Sequence, residues 1–459
     1  MPRFRPRSAR ACVAIASLAS ILAWHVGTPA ARGENMLVSY EQAARHGLER
    51  AWFAQVPLDP SRSRASTWFL YFDRLYCVTD SGLVTALDAE TGAKLWSQQV
   101  GRPGVAAFGP SANAANLGVV SGARLFMLDR ERGTLKWTRE LGGAPSSGPA
   151  LSADYAYVAM TTGRIEGYRL DDPAVQPWYY QSKGRTHLRP TTTGRVVSWP
   201  TTDGYLYVSR ADDPGVLYRL ETSGDIVTSP AEMAPYMYIA SEDGYLYCLH
   251  ETSGREQWRY ATGYPITSSP AIVGKHAYVA SIEPVLHCVD STTGAPLWAV
   301  RGASHFCAEG KQRVYASDRL GNLLVLDPKT GSLLGRMDTA EGFFTMVNDQ
   351  TDRIFLVNDR GLVQCLREIG ANAPTMYRSP TPLSDAAAAP PAEGTPESPF
   401  VEEEAAETDP LQEEAAPGED PAADGEPGVE EPLDDAGEVE DEPAEDAPAE
   451  ADVNPFEGL

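Results

Sequence analysis

The chain has 459 residues, a formal net charge of −25, 42% hydrophobic residues and six cysteines. Of its 63 acidic residues, 27 lie between Asp385 and Glu457, leaving 36 against 38 basic ones, so the negative charge belongs to the C-terminal end. A tail of that sign repels phosphate and no basic stripe stands elsewhere, which excludes nucleic acid as an expected partner.

The chain opens with Arg3, Arg5, Arg7 and Arg10, followed by an apolar run from Ala11 to Val26 and a group of small residues. This pattern reads as a Sec-type signal peptide over 1–33, too short and Ala-rich for a membrane span. The arginines are never adjacent, so no twin-Arg signal is present. Cys12 stands at the very start of the apolar run, ahead of the signal's hydrophobic core and of any cleavage site, so the mature protein is not expected to be a lipoprotein. Residues 34–47 form a lead-in. There Ser39-Tyr40-Glu41-Gln42 has the form of a capping box that opens a short helix through about His46.

From 48 to 370 the sequence repeats about every 40 residues. Each unit holds short alternating apolar runs, such as Tyr236 to Ala240 and Tyr245 to Leu249, separated by turns such as Asp243-Gly244. Runs of this kind are antiparallel strands, and four strands in 40 residues make one propeller blade. The first turn recurs at Gly82, Gly122, Gly163, Gly204, Gly244, Gly321 and Gly361, with Pro284 in the remaining slot, giving eight units. The eighth unit has three strands, and Glu49 to Ala54 supplies the fourth, with Trp52 one period before Trp96. The expected fold is all-β: an eight-bladed propeller of four-stranded blades, its ring closed by an N-terminal strand.

An interval opening on Asp and ending on Trp marks the last turn and strand of each unit: Asp88, Gly92 and Trp96; Asp129, Gly133 and Trp137; Asp290, Gly294 and Trp298. Unit five keeps Gly254 and Trp258 with His250 in the Asp slot, and unit seven keeps Asp327 and Gly331 with Gly335 in the Trp slot. Units three and four depart further: Arg169 and Arg210 replace Asp, and Tyr218 replaces Trp in unit four, while unit three retains Trp178. The Asp accepts backbone N–H groups, the Gly takes a positive φ, and the Trp supplies an apolar wedge between blades. These are structural roles.

The frame resembles the tryptophan-docking motif of the PQQ-like β-propeller repeat family, which includes the BamB-type outer-membrane assembly propeller and the quinoprotein dehydrogenases. The resemblance covers residues 48–370. It implies either a non-catalytic binding or assembly scaffold or, as the alternative, a PQQ-dependent or degenerate quinoprotein oxidoreductase. The quinoprotein signature adds a vicinal Cys-Cys pair and a calcium site; here no two cysteines are adjacent and no calcium-loop pattern occurs. No cofactor and no enzymatic activity are expected.

Five cysteines follow the signal: Cys77, Cys248, Cys288, Cys307 and Cys365, an odd number that excludes a fully paired set. They are expected as free core residues. There is no zinc-type spacing, and no metal site is expected.

The strand opening each unit should line the channel, and most units place small residues there. Unit four instead carries Arg185, His187 and Arg189, and unit seven carries His305 and Glu309. These groups are expected to form a channel-mouth site for a ligand or partner, facing each other across three blades, with Arg189 and Glu309 as potential ion-pair partners. From Ala371 to Leu459, Pro, Ala, Glu and Asp dominate, the composition of a disordered segment suited to contacting a basic partner. The expectation is an exported protein of the periplasm or cell envelope, without a membrane span in its mature form, whose partner is another envelope protein.

Overall fold

The computed structural model describes residues 37–102 and 104–378. The expected signal peptide and the acidic segment beyond Arg378 lie outside the described residues. The repeat folds as expected, into eight four-stranded sheets with antiparallel neighbours. Blades 1 to 7 span 65–99, 107–140, 150–181, 191–221, 231–261, 271–301 and 305–337. Blade 8 takes three strands from 343–368 and its outer strand, Leu48–Gln55, from the other end of the chain. That strand pairs with Leu362–Glu368 from Leu48↔Glu368 to Gln55↔Leu362, with a bulge between Arg50 and Trp52. The ring therefore closes without leaving Leu362–Glu368 as a bare edge.

The apolar core falls into eight clusters, each shared by adjacent blades. The repeated residues join them. Asp88 Oδ1 accepts the N–H groups of Glu90 (3.1 Å) and Thr91 (2.8 Å), and Asp290 does the same for Thr292 and Thr293. Gly92 has φ +71°, and a Cβ there would lie 2.3 Å from the Trp52 ring. Two physical demands thus meet at one glycine: a left-handed backbone and a surface flat enough to take an indole. Four of the repeated Trp residues dock on the turn of the following blade. The indole N–H groups of Trp52, Trp96, Trp258 and Trp298 donate to the carbonyls of Ala89, Arg130, Ser291 and Pro328, at 2.9–3.2 Å.

Two of the departures from the repeat are compensated. Tyr218 sits against Gly254, and its hydroxyl donates to Glu251 O at 3.1 Å, as an indole would. At Gly335, where a Trp is missing, a Cβ would lie 2.6 Å from His46 Nδ1. His46 follows the one short helix, Tyr40–Arg45, capped by the Ser39 hydroxyl, which accepts from Gln42 N. The Gln42 side chain does not return to Ser39 as a full capping box requires; it donates to Asp338 O at 2.7 Å. The lead-in thereby fills the space between blades 7 and 8 that the absent Trp leaves. Trp178 has no such arrangement, because the turn after it has lost the Asp-Thr-Gly frame. Its indole N–H is buried without a protein partner.

The five cysteines among the described residues are free and buried. Cys248, Cys288 and Cys365 each pair across the strand with a docking Trp: Trp258, Trp298 and Trp52. The packed chain extends past the expected end at 370. Residues 371–378 lie on the ring: Met376 bridges to Thr351, and Tyr377 N–H donates to Gln350 O. Met376, Tyr377 and Arg378 give this short stretch closely spaced apolar groups together with a cationic one, which the rest of the acidic segment lacks.

Candidate functional site

A propeller presents two faces. One, the connection face, carries the links from each outer strand to the next blade and the turns between second and third strands. The other, the turn face, carries the Asp-Thr-Gly turns and the hairpins between first and second strands.

The five titratable residues singled out in the sequence are divided between these environments. Arg185 and His187 are exposed on the connection from blade 3 to blade 4, with Arg185 N–H donating to Thr202 Oγ1 at 3.2 Å. Arg189 turns toward blades 1 and 2. Its guanidinium donates to Pro110 O at 2.8 Å and lies 5.3 Å over the Phe69 ring. Protein encloses it, and that desolvation lowers its pKa from the usual arginine value. His305 is exposed beside the Ser304 hydroxyl, 3.2 Å from Nδ1, and desolvation lowers its pKa.

Glu309 is largely buried at the opposite end of the same strand, His305–Glu309. It accepts from Tyr278 hydroxyl at 2.8 Å and lies 3.0 Å from His276 Nδ1, both in blade 6. Glu309 raises the His276 pKa, chiefly through that hydrogen bond, against the effect of burial. Among the described residues, no hydrogen bond or ion pair links Arg185, His187 or Arg189 to His305 or Glu309. The expected pairing of Arg189 with Glu309 is therefore corrected: Arg189 has a carbonyl and an aromatic face, Glu309 a histidine and a tyrosine. Alternation along a strand told which residues turn inward but not that four residues of strand separate the two ends of the channel.

Two further features were not read from the sequence. On the turn face, where Arg169 replaces the repeated Asp, an open cleft of about 510 Å³ is lined by Asn116, Asp154, Tyr155, Arg169 and Asp171. On the connection face, Tyr264 (51% exposed), Ile282 (53%) and Leu320 (81%) stand on consecutive connections of blades 5 to 7, followed by Phe344 (51%) in blade 8. The segments that carry them adjoin. Ile282 N–H donates to Pro265 O, Arg319 donates to Ile282 O, and Gly321 lies against Phe343 O. Isolated exposed apolar residues are ordinary; here four of them follow one another across successive blades on one face. Among the described residues, no group of three or more His, Cys, Asp or Glu stands placed to hold a metal ion, and no helix is long and apolar enough to cross a membrane.

Eight four-stranded blades, with an indole docked on a glycine at four of their seams, define the protein as a PQQ-like β-propeller. The chain belongs to the family described as outer membrane protein assembly factor BamB, whose model matches residues 71–211 and 242–340, more than half of its length. Among solved structures it is similar to BamB from Moraxella catarrhalis, at 18% identity and TM-score 0.56, covering 70% of this chain and 97% of that one. It is also similar to the computationally designed Ika8 protein (14% identity, TM-score 0.53, 66% and 96% covered). The C-terminal WD40 domain of Sif2 matches at 12% identity and TM-score 0.55, covering 70% and 98%. At these identities the structural likeness concerns the fold alone. No curated protein matches the chain significantly.

Proposed function

We propose that this chain is an exported, non-catalytic scaffold of the cell envelope that docks another protein on its connection face, in keeping with a family named for outer-membrane protein assembly. The observation that carries the reading is the apolar arc of Tyr264, Ile282, Leu320 and Phe344, solvent-exposed and rimmed by polar loops. Burying large apolar groups such as these supplies the central anchors that protein interfaces require. The N-terminal pattern of basic and then apolar residues supports export, and the acidic segment after Arg378 supports a contact with a basic partner. The missing vicinal cysteine pair weighs against quinone chemistry.

Two experiments test this proposal. Capture from envelope fractions is compared for the wild type, an Ile282→Glu/Leu320→Glu variant and a chain without the acidic segment. The docking reading expects one specific partner, lost with the charged arc; retention of that partner by the variant contradicts it. Incubation with pyrroloquinoline quinone and Ca²⁺ should give neither a chromophore that survives gel filtration nor dye-linked alcohol oxidation. Either result in the positive would establish the oxidoreductase reading instead.

A further inference from the structure

The turn face holds a seat that the chain fills with its own residues. Beyond blade 8, residues 371–378 run over the hairpin of that blade. Tyr377 hydroxyl donates to Glu309 O of blade 7 at 2.8 Å, and its ring packs on the apolar cluster between blades 6 and 7. Arg378 then reaches Glu232, on the inner strand of blade 5, at 3.1 Å, and Asp349 of blade 8 at 2.7 Å. Blades 5 and 8 lie three steps apart in a ring of eight, so the segment crosses the mouth of the channel.

The seat is more acidic than its occupant is basic. Glu232 and Asp349 share one guanidinium, and Glu251, 1% exposed at the seam of blades 4 and 5 and without a protein hydrogen-bond partner at either carboxylate oxygen, adds its repulsion on Glu232 without touching the strap. Its nearest cation, Arg195, stands 3.8 Å away. On the other side, Arg378 Nε and Nη2 are buried without well-aligned acceptors. Donors left over on a guanidinium that two carboxylates share mean that the fit is incomplete, so a ligand that satisfies the seat better can displace the strap. Arg378 is also the last basic residue of the chain, placed where the ring gives way to the acidic segment.

We propose that the turn-face mouth is a docking site for an extended peptide bearing an aromatic–arginine pair, and that Tyr377-Arg378 is its intramolecular occupant. A tethered occupant competes at an effective concentration on the order of millimolar, so an external peptide meets a largely filled site. This inference is independent of docking on the connection face, and its test involves no envelope partner.

The probe is a fluorescein-labelled peptide of residues 371–378, amidated at its C-terminus, followed by anisotropy against full-length protein. The Tyr377→Ala/Arg378→Ala variant should bind it saturably and at least ten times more tightly than the wild type. A probe with Ala in place of its arginine should bind that variant at least ten times more weakly. Lack of saturable binding to the variant, or equal binding to both proteins, overturns the proposal. Trypsin gives a second readout that leaves the arginine in place. Residues 379–459 contain no Lys or Arg, so cleavage after Arg378 releases them in one piece. Release should be at least ten times faster from Tyr377→Ala and from Glu232→Gln than from the wild type. Equal rates would show that the seat is not occupied in solution.

Discussion

Replacing Trp52 tests whether the ring depends on its closing wedge. Trp52 is 8% exposed, lies against Gly92 and packs 6.0 Å from the Phe355 ring. Its N–H donates to Ala89 O at 3.2 Å, so it joins the outer strand of blade 8 to the turn of blade 1. Trp52→Ala removes that packing and leaves a cavity at the seam, a loss of about 3–5 kcal/mol for a buried indole. Trp52→Phe keeps most of the apolar contact and removes the donor, leaving Ala89 O unpaired, at a cost of about 1 kcal/mol beyond the lost area. Trp178 is the internal control. Its indole nitrogen is buried with no protein partner, so Trp178→Phe should be neutral within about 0.5 kcal/mol or slightly stabilising. Urea denaturation followed by circular dichroism gives the midpoints, and hydrogen exchange shows whether Leu48–Gln55 and blade 1 open together in Trp52→Ala. A Trp52→Ala cost below about 1 kcal/mol would refute the wedge argument. So would equal losses for the two Phe substitutions.

Further outcomes follow from the same geometry. Burial pushes the Glu232 carboxyl up to about 7, with Arg378 opposing the shift. A folded-state pKa raised above the unfolded value gives stability that is full below about 4.5 and is lost as pH rises through about 7. Its side chain is 32% exposed, so solvent screening holds the effect to on the order of 1–2 kcal/mol. Glu232→Gln should therefore gain on the wild type between pH 5 and pH 8; a pH-independent difference contradicts this. Protonation of His276, favoured by Glu309, acts in the same direction, so His276→Gln should lessen the fall in stability above its unfolded pKa, as thermal melts across pH 5–8 would read. Burial pushes the thiols of Cys77, Cys248, Cys288 and Cys307 up to about 12. Iodoacetamide at pH 8 should leave all four unmodified in the folded protein and label them on unfolding, as peptide mass mapping would read; rapid native labelling of any would contradict its placement. Gly335→Trp would clash with His46 and should destabilise the seam between blades 7 and 8 by about 1–3 kcal/mol, despite restoring the residue that the repeat expects.

The architecture was legible because it is written many times over. Eight turns at a near-constant step fix the blade count, and Trp52, one period ahead of Trp96, marks the closing strand. The glycines of the last turn were legible for the same reason, since Gly92, Gly133, Gly254, Gly294 and Gly331 all meet an aromatic ring of the preceding blade. The site was not legible in the same way. His305 and Glu309 occupy one strand and look like one cluster in the sequence, yet they mark opposite ends of the channel. His276, the partner of Glu309, lies in the neighbouring blade, and only the packing of sheets brings the two together. Tyr377 and Arg378 were concealed by averaging, because the composition beyond residue 370 is dominated by the long acidic segment that follows them. The arc from Tyr264 to Phe344 has no linear signature, since its members come from three separate loops and the inner strand of blade 8.

The scaffold reading stands or falls on whether the connection face is covered in the cell. A photo-crosslinking amino acid at Leu320 of the full chain, expressed in its own envelope, reads this directly. A second protein carries it at Leu95, which is 43% exposed on the outer strand of blade 1. The account predicts one discrete protein adduct from Leu320, abolished by Ile282→Glu and absent from Leu95. The same adducts from both positions, or none from Leu320 while the protein is folded and exported, would contradict it.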